Sequence, residues 1–377
     1  MSTRWRAADE VLCVRLDGAG DVLMTSPALR ALREDKPGRR VTLLTSEAGA
    51  VAARRIPEVD DVIAFRAPWM KPSSDGAAAD HALVAAIAAR RFDAAVIFTV
   101  YSQSPLPAAY LCRLAGVPLT LAHCRENPYE LLTHWVPDPE PQQQVRHEVR
   151  RQLDLVSTVG CRPSSERLSF AVGAQARRRV SRLLSAAGVN HSQPLVVVHP
   201  GASAASRRYP PDRFAHALEQ LFERTRCHIV LTGDAHEADL VAGIRAAAGA
   251  PLHSLAGRLD LEELGALLAR ADVAISNNTA PAHIAAAVGT PVVDLYALTN
   301  PQHSPWQVEH RVLYHDVPCR YCYKSVCPMG HHNCLSSVPP SAVAAAAIEL
   351  LAPSLRAVST RSLPPLRSAT GAIEVSA

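Results

Sequence analysis

Four short stretches of this chain place chemically able side chains directly after an apolar run. In RLDGAGDVLMTSPAL (15–29), a glycine turn separates the run from Asp21, which stands where a helix is expected to begin. A carboxylate there reads in two ways. As a helix N-cap it would satisfy backbone N–H groups of the first turn. As a general base it would accept a proton in a cleft, kept ionised by the helix N-terminus. Gly18 and Gly20 would let the backbone turn tightly beneath a bulky ligand. In HPGASAASRRYPPDRF (199–214), a small-residue loop containing Ser203 leads to Arg207 and Arg208. Their guanidinium forks suit phosphate oxygens, and equally a solvated loop. In LTGDAHEADL (231–240), Glu237 falls in the first turn of a helix. It reads either as dipole-favourable solvation or as a bidentate grip on ribose hydroxyls. In VAISNNTAPAHIAAAVG (273–289), SNNT ends a strand and Pro281 suits the first helical position. The helix N-terminus then offers free N–H groups, an anion site most natural for a diphosphate. Asn278 and Thr279 either cap the helix or bind the ligand, and His283 is either a packed core residue or part of the site.

A fifth cluster is of another kind. Cys319, Cys322, Cys327 and Cys334 follow C-x₂-C-x₄-C-x₆-C, with His331 and His332 nearby. Such thiols either close around a structural Zn or Fe or form a reduced cluster that stabilises a loop; four thiolates leave no open position for substrate. The remaining cysteines, Cys13, Cys112, Cys124, Cys161 and Cys227, are scattered and read as reduced thiols.

Strands alternating with helices must position these groups. VLCVRLD (11–17), VTLLT (41–45), VIAF (62–65) and AAVIFTV (94–100) are the candidate strands of the first half. LVVVHP (195–200), CHIVLTGD (227–234), VAISN (273–277) and PVVDLY (291–296) are those of the second. Helical patterns separate them, which predicts an α/β fold of two doubly wound parallel sheets whose carboxyl edges face one cleft. A polar stretch, VPDPEPQQQ (136–144), precedes a domain junction expected near residue 175, giving domains over 1–175 and 176–352. The Ser-, Pro- and Arg-rich segment 353–377 reads as a disordered tail.

The bulk numbers agree with this outline. A chain of 377 residues, 48% apolar and 20% charged, suits two globular domains. A net charge of +4 fits an acidic small molecule or a membrane surface but is too weak to argue for nucleic acid. The arginines of RHEVRRQ (146–152) and ARRRVSR (176–182) read as solvated helix faces. No apolar stretch reaches the ~18–20 residues of a membrane span, and no signal-peptide core follows MSTRWRAADE, so a cytoplasmic location is expected.

Taken in order, RLDGAGDVLMTSPALRALR, HPGAS…RRYPPDRF, TGDAHE and SNNTAPAHIAAAVGTPVVDLYALTNP resemble glycosyltransferase family 9, the ADP-heptose:lipopolysaccharide heptosyltransferases, over roughly 11–350. The segment CRYCYKSVCPMGHHNCL is similar to one in many members, some of which modify proteins and hold iron with cysteines. The resemblance implies a GT-B fold and inversion at the anomeric carbon without a catalytic metal. It implies that Asp21 is the general base, that Arg207 takes the place of a phosphate-binding lysine, and that Glu237 faces the ribose. It further implies that Leu259 flanks adenine and that Thr279, Pro281 and His283 belong to the helix start at the diphosphate. Arg66 and Lys71, in FRAPWMK, are candidates for acceptor contacts. The implied acceptor is lipopolysaccharide inner core at the cytoplasmic membrane face, with a protein side chain as the alternative. Two departures stand out, because relatives usually read S-(N/V)-D-T-G-P/L where this chain has Asn278 and Ala280. The first removes a charge and the second adds a methyl beside the phosphate. They keep open a sugar-nucleotide epimerase or a non-catalytic nucleotide-binding protein. A dehydrogenase is disfavoured by the missing GxGxxG.

Overall fold

The computed structural model describes residues 3–71, 76–190 and 192–361. Its strands are β1 (Glu10–Arg15), β2 (Arg40–Thr45), β3 (Asp61–Ala64), β4 (Ala94–Ile97), β5 (Thr120–Cys124) and β6 (His134–Pro137), followed by β7 (Leu195–His199), β8 (His228–Leu231), β9 (Leu252–Ser254), β10 (Val273–Asn277), β11 (Val292–Leu295) and β12 (His310–Leu313). They form two six-stranded sheets, ordered β3-β2-β1-β4-β5-β6 and β12-β11-β10-β7-β8-β9. The pairings on either side of β1 and of β10 are parallel. Central strands such as β1 and β10 are apolar on both sides because helices cover both faces.

The expected strands are all present. β5, β6, β9 and β12 are additional, and their brevity explains why pattern alone misses them: β9 has three residues, and the edge strands β6 and β12 have four each. Each sheet reverses its strand order once, between β1 and β4 and between β7 and β10. Doubly wound sheets open a crevice at that reversal, beyond the carboxyl ends of the strands. The segments that carry Asp21, Arg207 and Thr279 all leave strands flanking it.

The Ala19–Asp35 helix joins the halves. It packs against the Glu148–Ser157 helix on its own side and against the Ala280–Val288 helix of the second half. One buried apolar cluster consequently runs through both sheets, from Val11 and Leu29 to Ala282 and Leu267. Gly20 lies at the crossing. A Cβ there would stand 2.8 Å from Cδ2 of the buried His283 ring. Gly18, the N-cap, has an ordinary extended backbone (φ −82°, ψ −180°). The tight-turn rationale for these glycines therefore gives way to one of close helix approach at Gly20.

Two further expectations change. The 146–152 arginines are not all a solvated helix face: Arg151 is fully buried, donating to Asp138 (2.8 and 2.9 Å), Glu140 (2.6 Å) and the Thr99 carbonyl (2.8 Å). Arg146 adds pairs to Glu140 (2.8 Å) and Asp154 (3.0 Å). At the C-terminal end, the Pro340–Arg361 helix packs on the Pro211–Thr225 helix, so the segment after 353 continues as helix to Arg361. The rest of the expected tail, 362–377, lies outside the described residues.

Placing a methyl at Gly20 forces the buried His283 ring to shift. Gly20→Ala should lower stability by ~1–3 kcal/mol, the usual cost of overpacking, read as a reduced urea midpoint.

Candidate active site

The first strand ends on a charge with no access to water. Arg15 is fully buried, and its guanidinium meets three carboxylates: Asp17 at 2.8 Å, Asp21 at 3.3 Å and Glu148 at 2.6 Å. Gln103 donates to Asp17 (2.6 Å), and Gln152 donates to Glu148 (2.5 Å). Burial by itself would raise the Asp21 carboxyl, but Arg15 foremost, then His303, His283 and Arg207, hold it below its ordinary value. Burial raises its neighbour Asp17 instead, against the pull of Arg15. Asp21 sits in the first turn of its helix, yet Gly18 is the N-cap and the Asp21 carboxylate is turned to Arg15. The capping reading does not hold.

Asp21 forms part of the wall between two cavities. One, of about 490 Å³, is lined by Gly18, Asp21, Ser46, Glu47, Arg66 and Lys71 among others, so both acceptor candidates flank Asp21. Arg66 also pairs with Glu47 at 3.1 Å. The other, of about 190 Å³, brings Asp17, Asp21, Arg207, His303 and Lys324 together from both halves of the chain. His303 Nε2 stands 3.8 Å from Asp21 and 4.0 Å from Glu148. Burial, with Arg15 and Arg207, pushes this imidazole down to about 4 against the opposing pull of Asp21, so it is neutral.

A third cavity, of about 330 Å³, lies in the second half and collects His199, Ser203, Glu237, Leu259, Thr279, Ala280 and Pro281. The Ala280–Val288 helix starts at its wall, and the N-cap, Thr279, makes no side-chain cap. Glu237 Oε2 accepts the Asp234 N–H (3.0 Å) in a reciprocal cap and lies 3.5 Å from His199. One oxygen of Glu237 is thus engaged within the fold, which limits a bidentate grip. Gly201 is placed where any Cβ would overlap the Glu237 carboxylate.

Three residues sit elsewhere than expected. Arg207 lines the Asp21 cavity rather than this one. His283 is buried against Gly20, with burial pushing it down to about 3. Asn278 is turned inward, its Nδ2 donating to Asp294 (2.9 Å) and to the His303 carbonyl (2.7 Å). Asp294 is fully buried, and burial raises its carboxyl to about 8, so it is neutral at pH 7. An aspartate at 278 would set a second carboxylate against it. The departure at Asn278 therefore concerns an internal hydrogen bond, whereas Ala280 does present its methyl to the cavity.

Sequence reasoning missed Arg15, Asp17, Glu148, His303 and Lys324. Only Arg15 carries a local signal, a charge inside an apolar run. Among the described residues, no group of three or more His, Cys, Asp or Glu side chains converges as a metal site. The four clustered cysteines are free thiols, with Cys319 Sγ 3.8 Å from His331, which gives no support to the Zn or Fe alternative over the reduced cluster.

Removing the central cation tests the buried cluster. Arg15→Met leaves three carboxylates without their counter-charge and should cost ~3–5 kcal/mol at pH 7, read by chemical denaturation. His303 gives a pH signature. Between about 4 and the ordinary 6.5 the unfolded chain binds a proton that folded His303 refuses, so stability falls on acidification through that window. His303→Gln should flatten the fall by at most about 1.4 kcal/mol per pH unit, seen by comparing denaturation midpoints at pH 7 and pH 5.

Comparison with known proteins adds to this geometry. Residues 81–333 match Glycosyltransferase family 9 (heptosyltransferase). Lipopolysaccharide heptosyltransferase 3 of Escherichia coli is 27% identical over 296 residues, 76% of this chain and 83% of its own length. The glycosyl transferase family 9 structure from Veillonella parvula DSM 2008 superimposes with a TM-score of 0.77 at 22% identity, covering 94% of this chain and 99% of that one. The E. coli ADP-heptose lps heptosyltransferase II does so with a TM-score of 0.71 at 21% identity, covering 92% and 99%. At such identities the structural likeness speaks for the fold, the GT-B arrangement of two facing α/β domains.

Proposed function

The chain belongs to glycosyltransferase family 9, and we propose that it moves a heptose from ADP-heptose to a hydroxyl of lipopolysaccharide core, inverting the anomeric centre. The carrying observation is Asp21: a carboxylate held ionised by a buried arginine, in the wall between a cavity on the first domain and one that reaches the second. An acceptor hydroxyl lying in the Arg66–Lys71 cavity would meet Asp21 on one side and the sugar C1 on the other. As its oxygen bonds to C1, the proton passes to Asp21 and the bond from C1 to the diphosphate breaks, releasing ADP. The lowered basicity of Asp21 suits a proton that leaves as the new bond forms rather than before it.

The leaving charge has two supports. The uncapped start of the Ala280–Val288 helix presents N–H groups and the positive end of its dipole. Arg207 lines the Asp21 cavity, on the side where the reacting C1 would lie. For the nucleotide, the 330 Å³ cavity offers Leu259 for a base and Glu237 for a ribose. The donor and acceptor follow from the similarity to an ADP-heptose lps heptosyltransferase and a lipopolysaccharide heptosyltransferase. No helix among the described residues is long and apolar enough to cross a membrane. The net charge of +4 suits transient contact with the anionic cytoplasmic face, where such an acceptor is presented.

Release of ADP from ADP-heptose, with and without a core oligosaccharide lacking its terminal heptose, tests the reading. Acceptor-dependent release is expected. Asp21→Ala should lose ~10²–10⁴-fold in kcat, the usual contribution of general-base catalysis, while ADP affinity stays nearly unchanged. Wild-type turnover in that variant would remove Asp21 from the mechanism.

A further inference from the structure

We propose that the cysteine-rich segment is part of the active site, and that its Lys324 binds the donor's terminal phosphate beside Arg207. This rests on the ADP-sugar reading above and names a phosphate contact for it. The segment folds back to the cleft. Lys324 lines the 190 Å³ cavity that also contains Asp21, Arg207 and His303.

Four contacts hold it there. The Ser206 N–H donates to the Ser325 carbonyl (3.0 Å), and Ser206 Oγ donates to the Lys324 carbonyl (2.7 Å). Ser206 is buried and precedes Arg207 directly, so the two cations are carried by backbones joined through one residue. The Tyr323 N–H donates to the Thr299 carbonyl (2.8 Å), and the Tyr323 ring meets Tyr101 of the first domain edge-on, with centroids 5.9 Å apart. Tyr323 adopts φ 55°, a left-handed conformation uncommon for a bulky residue, which sets the course of the chain immediately before Lys324.

The charge arrangement identifies the ligand. Neither the Lys324 ammonium nor the Arg207 guanidinium makes a hydrogen bond or ion pair among the described residues, although both border one small cavity. Asp17 and Asp21, across it, are already engaged by Arg15. The half-buried Arg207 and the exposed Lys324 border one cavity without a partner among the described residues, and two such cations suit an anion of more than one charge. A sugar hydroxyl is not such an anion, but the terminal phosphate of a nucleoside diphosphate is. When the C1–oxygen bond breaks, its electron pair stays on that phosphate, and a second cation stabilises the added charge where it develops.

The test uses the full-length chain and two probes, ADP and AMP, which differ by the phosphate in question. Calorimetry on Lys324→Met should show ADP affinity reduced roughly 10–100-fold, the range for a charged hydrogen bond, with AMP affinity unchanged and kcat for ADP-heptose lowered. Lys324→Arg should restore most of both. Unchanged ADP affinity in Lys324→Met, with or without a raised acceptor KM, would overturn the proposal. Equal losses for ADP and AMP would also overturn it, since the effect would then not lie at the terminal phosphate. The wild-type titration separates the two levels, because failure to bind ADP at all would sink the ADP-sugar reading and this inference with it.

Discussion

Arg15 ends a strand whose two faces are both covered, and a guanidinium in that position has no water to turn to. It requires carboxylates within reach, because an isolated buried charge is far costlier than a paired one. Three supply them: Asp17 from the next turn, Asp21 from the helix that follows, and Glu148 from a helix more than a hundred residues later. The geometry of the first domain around the cleft follows from satisfying this one side chain. The Glu148–Ser157 helix must lie close enough to present Glu148, and the same helix carries Arg151 into its own buried cluster with Asp138 and Glu140. Glu140 of the polar connector before it is thereby buried in the domain, while residues 141–144 stay exposed.

The same cation has a functional consequence. A buried carboxyl would ordinarily hold its proton, as Asp294 shows. Asp21 escapes this because Arg15, His303, His283 and Arg207 together outweigh the effect of burial. It is thus ionised, fixed in direction and still a quarter exposed to the cleft, with side-chain exposure of 24%. Fixing a charged group before the reaction begins avoids reorganisation at the moment of proton transfer. His303, arriving from the second domain, closes the site from the other side as a neutral ring.

How the two domains meet depends on a smaller constraint. The Ala19–Asp35 and Ala280–Val288 helices cross where Gly20 has no side chain, and the His283 ring occupies that space. Because an apolar cluster continues through this crossing, the helix that positions Asp21 and the helix whose N-terminus faces the nucleotide cavity are parts of one packed unit. Asn278 belongs to the same frame. By donating to Asp294 and to the His303 carbonyl it ties the strand end to the loop that delivers His303. The amide at Asn278 supplies a donor to both acceptors, which an ionised aspartate of the same shape could not.

The sequence by itself determined the alternation of strands and helices, and with it two parallel sheets with a cleft at their carboxyl edges. It determined that Asp21, Arg207, Glu237 and Thr279 follow strands that flank the cleft, because turn residues and helix starts are written locally in period and residue type. It could not determine which way those side chains point. Asp21 reads as a cap until Arg15 is seen beside it, and Asn278 reads as a ligand until Asp294 is seen behind it. His283 reads as a site residue until Gly20 is seen against it. Glu148, His303 and Lys324 were invisible because their significance lies in partners on other elements, more than a hundred residues away in chain order. Charge pairing and packing at a cleft are properties of contacts between distant segments. Only the tertiary structure brings those segments within the few ångströms over which such forces act.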